Sequence, residues 1–592
     1  MTVIQMKRWI LTRNGADYEN LSRELNIDPV AVRILVNRGI TDKDSMRDFL
    51  SDNMDKVFEF EGLPNLCKAL DTIKYARDNN LFCRVIGDYD ADGVCSTTIL
   101  VKGLRLFGLS CDYVIPNRLL DGYGINENIV GNAIKDNVGL IVTCDNGISA
   151  RNAIDSAVAA GIHVVVTDHH TVNLNEIPLT ADALVNPKMA ENEYPFTDIC
   201  GAFVAFKVLC ALFDQNDSFE SIKYELLELA AVATVTDVMP LTGENRKIVK
   251  WLLERLKNPI NNGLKDLSDA CKITSKSSKC RCSDIGFQIG PCINATGRID
   301  VADRAVNLFL SDDSNERSEI VAKLLELNEE RKIMTDECIK KGVEAIETVS
   351  DEDRLDDILV VYLPECHVSV CGLVAGRIRE KYYRPTLVLT DSVAGLTGSG
   401  RSIEEYDMIA GITECSDLLS KFGGHKMACG LSLAKEKLDE FRSKLNGLSG
   451  LTEEDLYEKV RIDADMPFSY VNEKVIADIS KLEPFGTGNI TPVFAVRNLK
   501  VVKGRRIGNE SQHLFLTVLD STNSLRTLKY WNKADEFDEF LRENVSDKGY
   551  EDFYSYSGMK EELLITVSYY PEINSYNGTS GIEFLLKEYK KS

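Results

Sequence analysis

The spacing of apolar residues changes character several times along this chain. Between about 80 and 190, short apolar runs alternate with segments of helical period. Strands are predicted at 83–87, 111–116, 139–144, 163–167 and 182–186, with helices between them, for example over 93–107 and 149–160. Such alternation implies a parallel sheet with helices on both faces. Over about 302–347, Ile320, Leu324, Leu327, Ile339, Val343 and Ile346 fall near helical spacing, predicting a long connecting helix broken near Ser311-Asp312-Asp313. A second αβ region follows: strand 358–363, helix 371–381, strand 385–390, then glycine-rich stretches at 395–401 and 422–425. Short β-like runs at 492–496, 499–502, 514–519 and 563–569 suit a small barrel. The first sixty residues read as helical, with a turn at Asn37-Arg38-Gly39-Ile40. The predicted architecture is therefore α/β: an N-terminal helical region (1–60), a parallel-sheet domain (61–301), the connecting helix (302–350), a smaller αβ domain (351–450) and a C-terminal β-barrel (451–592).

At 592 residues several cores are required. A composition 44% hydrophobic and 27% charged is that of an ordinary globular protein, and no apolar run approaches the roughly 18 residues of a membrane span. Met1 to Trp9 carry no signal-peptide pattern, so a cytoplasmic protein is expected. The sixteen cysteines, many in apolar segments (Cys83, Cys144, Cys210, Cys371, Cys429), then read as reduced thiols. Cys271, Cys280, Cys282 and Cys292 lack the paired spacing of common zinc sites, and burial is expected for them. The net charge of −23 argues against coating nucleic acid by bulk attraction, but leaves room for a local basic groove.

Four apolar segments run directly into acidic residues or histidine. Cys83–Ile86 leads into Gly87-Asp88-Tyr89-Asp90-Ala91-Asp92-Gly93, 140–144 into Asp145-Asn146-Gly147, and 164–167 into Asp168-His169-His170. The stretch 226–236 ends on Asp237. Residues just past the carboxyl ends of parallel strands converge on one crevice. Carboxylates gathered there repel each other, and divalent cations relieve the repulsion. A two-metal hydrolytic centre is the reading. The Asp-x-Asp-x-Asp-Gly run starts like a calcium loop, but it lacks the glutamate at position twelve and follows a strand. Imidazole beside carboxylate suits manganese better than calcium.

On these motifs the chain resembles the DHH phosphoesterase superfamily, named for the triplet seen at 168–170, and within it the single-strand-specific exonucleases of RecJ type. The resemblance extends through Cys200-Gly201-Ala202, Asp237-Val238-Met239-Pro240, Ile293-Asn294-Ala295-Thr296-Gly297-Arg298, Gly372-Leu373-Val374-Ala375-Gly376-Arg377, Gly398-Ser399-Gly400-Arg401-Ser402, Phe422-Gly423-Gly424-His425 and Glu483-Pro484-Phe485-Gly486-Thr487-Gly488-Asn489. It implies a DHH domain, a DHH-associated nucleic-acid-binding domain and an oligonucleotide-binding barrel. It also implies digestion of single-stranded DNA from the 5′ end to mononucleotides, in repair and recombination. Asp88, Asp90, Asp145, His169 and Asp237 are the implied ligands of two divalent cations, Mn2+ or Mg2+, with Asp145 bridging and His170 near the scissile phosphate. Arg298, His367, Arg377, Arg401 and His425 are the implied phosphate contacts; a plain ion pair is the competing role for Arg377. Cys292, Cys366 and Ser369 depart from the family's usual arginine, tryptophan and glycine.

The barrel has a signal of its own. Lys503, Arg505 and Arg506 lie beside a β-run, and Arg526, Lys529, Tyr530, Trp531 and Lys533 combine cations with aromatics, a way of holding single strands. Expected partners are single-stranded DNA, a single-strand-binding protein and a helicase, with the chain monomeric and off the membrane. Three alternatives stand beside this reading. A DHH phosphodiesterase of short oligonucleotides or cyclic dinucleotides, or a pyrophosphatase, has no use for the region after about 455. A non-catalytic replication scaffold would have lost ligands that this chain keeps.

Overall fold

The computed structural model describes residues 7–118, 124–214, 216–349, 355–393, 395–576 and 579–592. They form two compact units, Lys7–Asp52 with Lys459–Ser592, and Asn53–Glu458. The first unit opens with strand β1 (Lys7–Leu11), which the sequence reading missed.

In the unit Asn53–Glu458, β2 (Cys83–Ile86), β3 (Cys111–Val114), β4 (Leu140–Cys144), β5 (His163–Thr167) and β6 (Ala183–Val185) form a parallel sheet of order β3-β2-β4-β5-β6. Strands this apolar require cover on both faces. Alternate residues supply it: Cys83, Val85, Leu140, Val142 and Val165 enter one core, and Ile86, Ile141, Val164 and Val166 the other. From β2 the chain crosses to β3 on one side and then to β4 on the other. The topological switch point therefore lies between β2 and β4, whose ends carry Asp88 and Asp145.

The fourth apolar segment is not a strand. Residues 226–236 belong to helix Lys223–Thr236, which packs on helices Ala91–Leu106 and Gly201–Leu212. Leu226 to Thr234 are all buried, and a run that is apolar all round carries no period to separate strand from helix. Asp237 consequently arrives from a helix C-terminus. The break near Ser311-Asp312-Asp313 is present, between helices Asp303–Leu310 and Ser314–Val349.

Beyond the long helix, β7 (Leu359–Tyr362), β8 (Thr386–Ser392), β9 (Gly395–Arg401), β10 (Leu419–His425) and β11 (Ala428–Leu433) form a sheet of order β10-β11-β9-β8-β7, with helix Cys371–Tyr382 packed on β8 and β9. Among the described residues no helix is long and apolar enough to cross a membrane.

In the other unit, β12 (Glu458–Ile462) pairs with β1. Strands β14 (Phe494–Ile507), β15 (His513–Leu519), β16 (Leu525–Tyr530), β18 (Thr579–Lys591) and β17 (Leu564–Tyr576) close a barrel through the β14–β17 pairing, and β13 (Ala464–Asp465) adds to β14. The runs 492–496 and 499–502 are one strand. Asn498, at φ 56, sits where the register with β17 shifts between Val496 and Leu499. Helix Pro29–Asn37 packs on helix Glu473–Ser480, so the N-terminal helices share the barrel's core.

One buried ion pair fastens the parallel-sheet region. Lys207, fully buried, donates to the carbonyls of Lys56 and Glu59 and to the carboxylate of Glu244, which also accepts from Tyr194. Lys207→Met leaves Glu244 buried without its cation and is expected to cost about 3 kcal/mol or more, read as a lower urea midpoint. Adding Glu244→Gln should recover part of the loss; an unchanged midpoint in the single variant contradicts the account.

Candidate metal centre and nucleic-acid cleft

Each acidic loop is built by local backbone chemistry. Asp90 caps helix Ala91–Leu106, its Oδ1 accepting from the backbone N–H of Asp92 at 2.9 Å and Gly93 at 3.0 Å. Gly93 is required because a Cβ there would lie 2.3 Å from the Asp88 carbonyl oxygen. Asp145 adopts φ 61 at the end of β4. Its neighbour Asn146 donates to the carbonyls of Ile86 and Cys144 and so ties the ends of β2 and β4 together. Asp168 Oδ1 accepts from the backbone N–H groups of His169 and His170 at 2.7 and 3.1 Å and lies 2.7 Å from His170 Nδ1; its Oδ2 accepts from Ile148. Asp237 closes its helix, and the next residue, Val238, is held at φ 58, a strained conformation for a β-branched side chain.

These loops meet around one imidazole. His169 Nε2 is 3.1 Å from Asp145 Oδ1 and 3.6 Å from both Asp92 Oδ2 and Asp237 Oδ2. Three groups bring potential ligand atoms within 4.8 Å of one another: Asp88, Asp90 and Asp145; Asp92, His169 and Asp237; and Asp145, His169 and His170. Asp145 belongs to two of them.

Burial first, and then the charge of neighbouring carboxylates, pushes Asp88, Asp145 and Asp237 well above the usual carboxylate range. Asp92 is raised to about 6 by burial and Asp90, against the backbone N–H groups of Ala202 and Gly201 that it accepts at 2.7 Å. Burial and the charge of His170 lower His169 to about 3, which leaves a neutral imidazole ready to ligate. Burial opposes ionisation of Asp168 and His170 as well, but their mutual hydrogen bond and charge prevail, setting them at about 2 and about 9. The donor set fits divalent cations. Asp88 Oδ1, Asp237 Oδ2 and His169 Nε2 are buried with no hydrogen-bond partner, and carboxylates this close ionise together only with positive charge among them. The oxygen-rich set with one imidazole nitrogen suits Mn2+ or Mg2+.

Arginines gather beside the carboxylates. Arg298 donates from Nη1 to the Ser369 carbonyl at 2.6 Å, joining the parallel-sheet domain to the smaller αβ domain. Burial and the charges of Arg118, Arg331 and Arg401 lower Arg298 to about 10. Arg118 lies 5.2 Å over the ring of Tyr89, the residue between Asp88 and Asp90. Arg401 packs against Gly372, and its row across the sheet continues through Ala428 to His425, which places Arg401 and His425 on one face. His367 Nδ1 accepts from the Ser369 backbone N–H, in the loop that receives Arg298. Arg377 stands apart: it is exposed and paired with Glu380 at 3.0 Å, the competing role expected for it.

On the barrel, Arg505 and Lys529 lie over Phe515, and Trp531, 45% exposed, packs edge-on against Phe515. Lys503 lies 5.2 Å over the exposed ring of Tyr556. Arg506 is taken by Asp535 and Asp538, Arg526 by Asp520, and Lys529 also reaches Glu583. Tyr530 is a core residue rather than a stacking surface.

Comparison with known proteins agrees with this geometry. Residues 83–234 match the DHH family, N-terminal domain, residues 356–449 the DHHA1 domain, and residues 462–588 the RecJ OB domain. The chain is 35% identical over 524 residues to the single-stranded-DNA-specific exonuclease RecJ of Bacillus subtilis (strain 168), covering 88% of this chain and 65% of that relative's length. It is 34% identical over 463 residues to the protein of that name from Salmonella typhimurium, covering 74% of this chain and 77% of the relative. The chain belongs to the RecJ family. The crystal structure of RecJ from Thermus thermophilus in complex with Mn2+ superposes with a TM-score of 0.80 at 26% identity, over 99% of this chain and 80% of that one. The Mg2+ complex gives a TM-score of 0.75 at 25% identity, over 99% and 78%.

Three residues of this RecJ-family cleft escaped the sequence reading as site residues. Asp92 lay inside a quoted motif, but only the fold shows that it faces His169 while accepting from the start of helix Gly201–Leu212. Asp168 sets the protonation of His170. Arg118, over the ring of Tyr89, has no flanking motif. Cys292 is buried, whereas Cys271, Cys280 and Cys282 are half-buried. For Asp92→Asn, calorimetric titration with Mn2+ is expected to give an affinity about 10–100-fold weaker than wild type, as for other groups that orient ligands. An unchanged affinity would confine Asp92 to holding the helix.

Proposed function

We propose that this chain hydrolyses single-stranded DNA from its 5′ end, releasing nucleoside 5′-monophosphates, in DNA repair and recombination. One observation carries the reading: in a single compact unit, the carboxylate–imidazole cluster around His169 lies beside Arg118, Arg298 and Arg401, which pair with no carboxylate among the described residues. Asp88, Asp90, Asp145, His169 and Asp237 would hold two divalent cations, Mn2+ or Mg2+, which would supply a water of lowered pKa and positive charge against the scissile phosphate. His170, held by Asp168 through a 2.7 Å contact at Nδ1, is positioned to hold a phosphate oxygen and to pass a proton to the leaving 3′ oxygen. Arg118, Arg298 and Arg401 take the terminal 5′ phosphate, with His367 and His425 at the margin. A phosphate monoester carries more charge than an internal diester, which favours a strand end among several guanidiniums.

The barrel supports long strands over dinucleotides or cyclic dinucleotides: Arg505, Phe515, Lys529, Trp531 and Lys503 offer rings for bases and cations for phosphates without sequence preference. The working division is that of the sequence reading, with 61–301 as catalytic domain, 351–450 as strand-binding domain and 451–592 as barrel. The chain acts as a cytoplasmic monomer, on strands opened by a helicase and covered by a single-strand-binding protein.

The test is incubation of the protein and its Asp145→Ala variant with Mn2+ and single-stranded DNA labelled at either end. Early release of the 5′ label as a mononucleotide, absent from the variant, is expected. Early release of the 3′ label overturns the polarity. Loss of only very short oligonucleotides moves the reading to the short-substrate phosphodiesterases, and no cleavage at all moves it to a scaffold.

A further inference from the structure

Arg331 lies on the long helix Ser314–Val349, 33 residues beyond Arg298 and outside every motif that drew attention to the cleft. This helix packs on helix Gly290–Ile299 and on helix Cys371–Tyr382, so it passes from one domain's core to the other's. Asn328, buried, donates to Cys292 Sγ at 3.4 Å on the first side, and Cys338 meets Cys366 on the second. Arg331 stands between them, three residues past Asn328 and seven before Cys338, spacings that keep all three on one helix face. Arg298 bridges the same junction through the Ser369 carbonyl.

The guanidinium is fixed rather than loose. Its Nε and Nη2 both donate to Asn328 Oδ1, at 3.2 and 2.9 Å. No carboxylate lies within ion-pair distance of it among the described residues: burial lowers its pKa, Asp336 acts on it only from beyond that distance, and the positive charges of Arg377 and Arg298 are also near. A half-buried guanidinium oriented by a neutral amide oxygen, with no carboxylate in direct contact, keeps its donors and charge for an anion.

We propose that Arg331 binds a backbone phosphate of the single strand where it passes between the two domains, beyond the nucleotide being cleaved. Arg331 is a positioning residue: it holds the strand and leaves the reacting atoms to the cluster around His169. The inference rests on the single-strand reading above, and binding measured in EDTA separates the two, because it needs no hydrolysis.

The experiment compares wild type, Arg331→Gln and Arg331→Lys for affinity to a fluorescent oligothymidylate in EDTA across a salt series, and for steady-state hydrolysis of a 5′-phosphorylated dinucleotide and a long strand with Mn2+. Arg331→Gln is expected to weaken binding about 5–10-fold and to lower the slope of log affinity against log salt by about 0.7–1, one phosphate contact on a single strand, while Arg331→Lys keeps the slope. With the long strand KM rises and kcat stays within about twofold; dinucleotide turnover is unchanged. A slope equal to wild type in Arg331→Gln, or equal losses on dinucleotide and long strand, overturns the proposal and makes Arg331 a structural residue. Wild type that binds with the expected slope and cuts nothing overturns the exonuclease reading alone.

Discussion

Mutual repulsion among buried carboxylates is the constraint on which the rest of this structure depends. Asp92, Asp145 and Asp237 are brought out of water within reach of one imidazole, with Asp88 beside Asp145, where none ionises readily alone and several cannot ionise together. The fold keeps them there by occupying their other lone pairs and backbones. Asp90 is held by the first turn of its helix, and Asp92 by the N-terminal N–H groups of helix Gly201–Leu212. Asp145 and Val238 sit at positive φ, and such backbone cost persists only where the surroundings over-determine it. Gly201 presses so close that an added Cβ would lie 2.6 Å from the Asp145 Cβ. The cluster is therefore held in place by packing, and cations complete it.

The same logic with opposite sign governs the other half of the cleft. Arg298 is bound to a carbonyl, Arg331 to an amide oxygen and Arg401 to its neighbour's carbonyl, all neutral acceptors that orient a guanidinium without cancelling its charge. Elsewhere in the chain arginines meet carboxylates, as Arg84 does with Asp112 and Asp136, or Arg506 with Asp535 and Asp538. A cation held by neutral partners keeps its attraction for phosphate, and one held by carboxylates has largely lost it.

The sheet and its acidic ends were legible because β2, β4 and β5 are mostly apolar runs, with Arg84 inside β2 and His163 opening β5, that stop on turn residues, a signal both local and strong. The helix bearing Asp237 was not, since burial on every side erases the period that separates helix from strand. The strand β1 and the sharing of one core by the first fifty residues and the barrel depend on pairing across more than four hundred residues, which no local pattern encodes. Asp90 and Asp92 read alike in sequence; their split into a cap facing its own helix and a carboxylate facing His169 comes from the turn between them. Tyr530 and Trp531 were read together as stacking residues, but Tyr530 ends β16 facing the core, whereas Trp531, just past the strand, is exposed.

The net charge of −23 gives these placements their weight. Bulk electrostatics repels a polyanion, so affinity for a strand must come from short-range contacts inside clefts, where screening and distance suppress the rest of the surface. On the barrel much of the basic cluster is already answered by Asp520, Asp535, Asp538 and Glu583, and Arg505 with its aromatic neighbours carries what remains. In the cleft, by contrast, guanidiniums are left uncompensated next to carboxylates that cations would neutralise. On the exonuclease reading proposed above, a strand would be attracted only where its phosphates are bound, and repelled elsewhere, which favours entry of a strand end over adsorption along the surface.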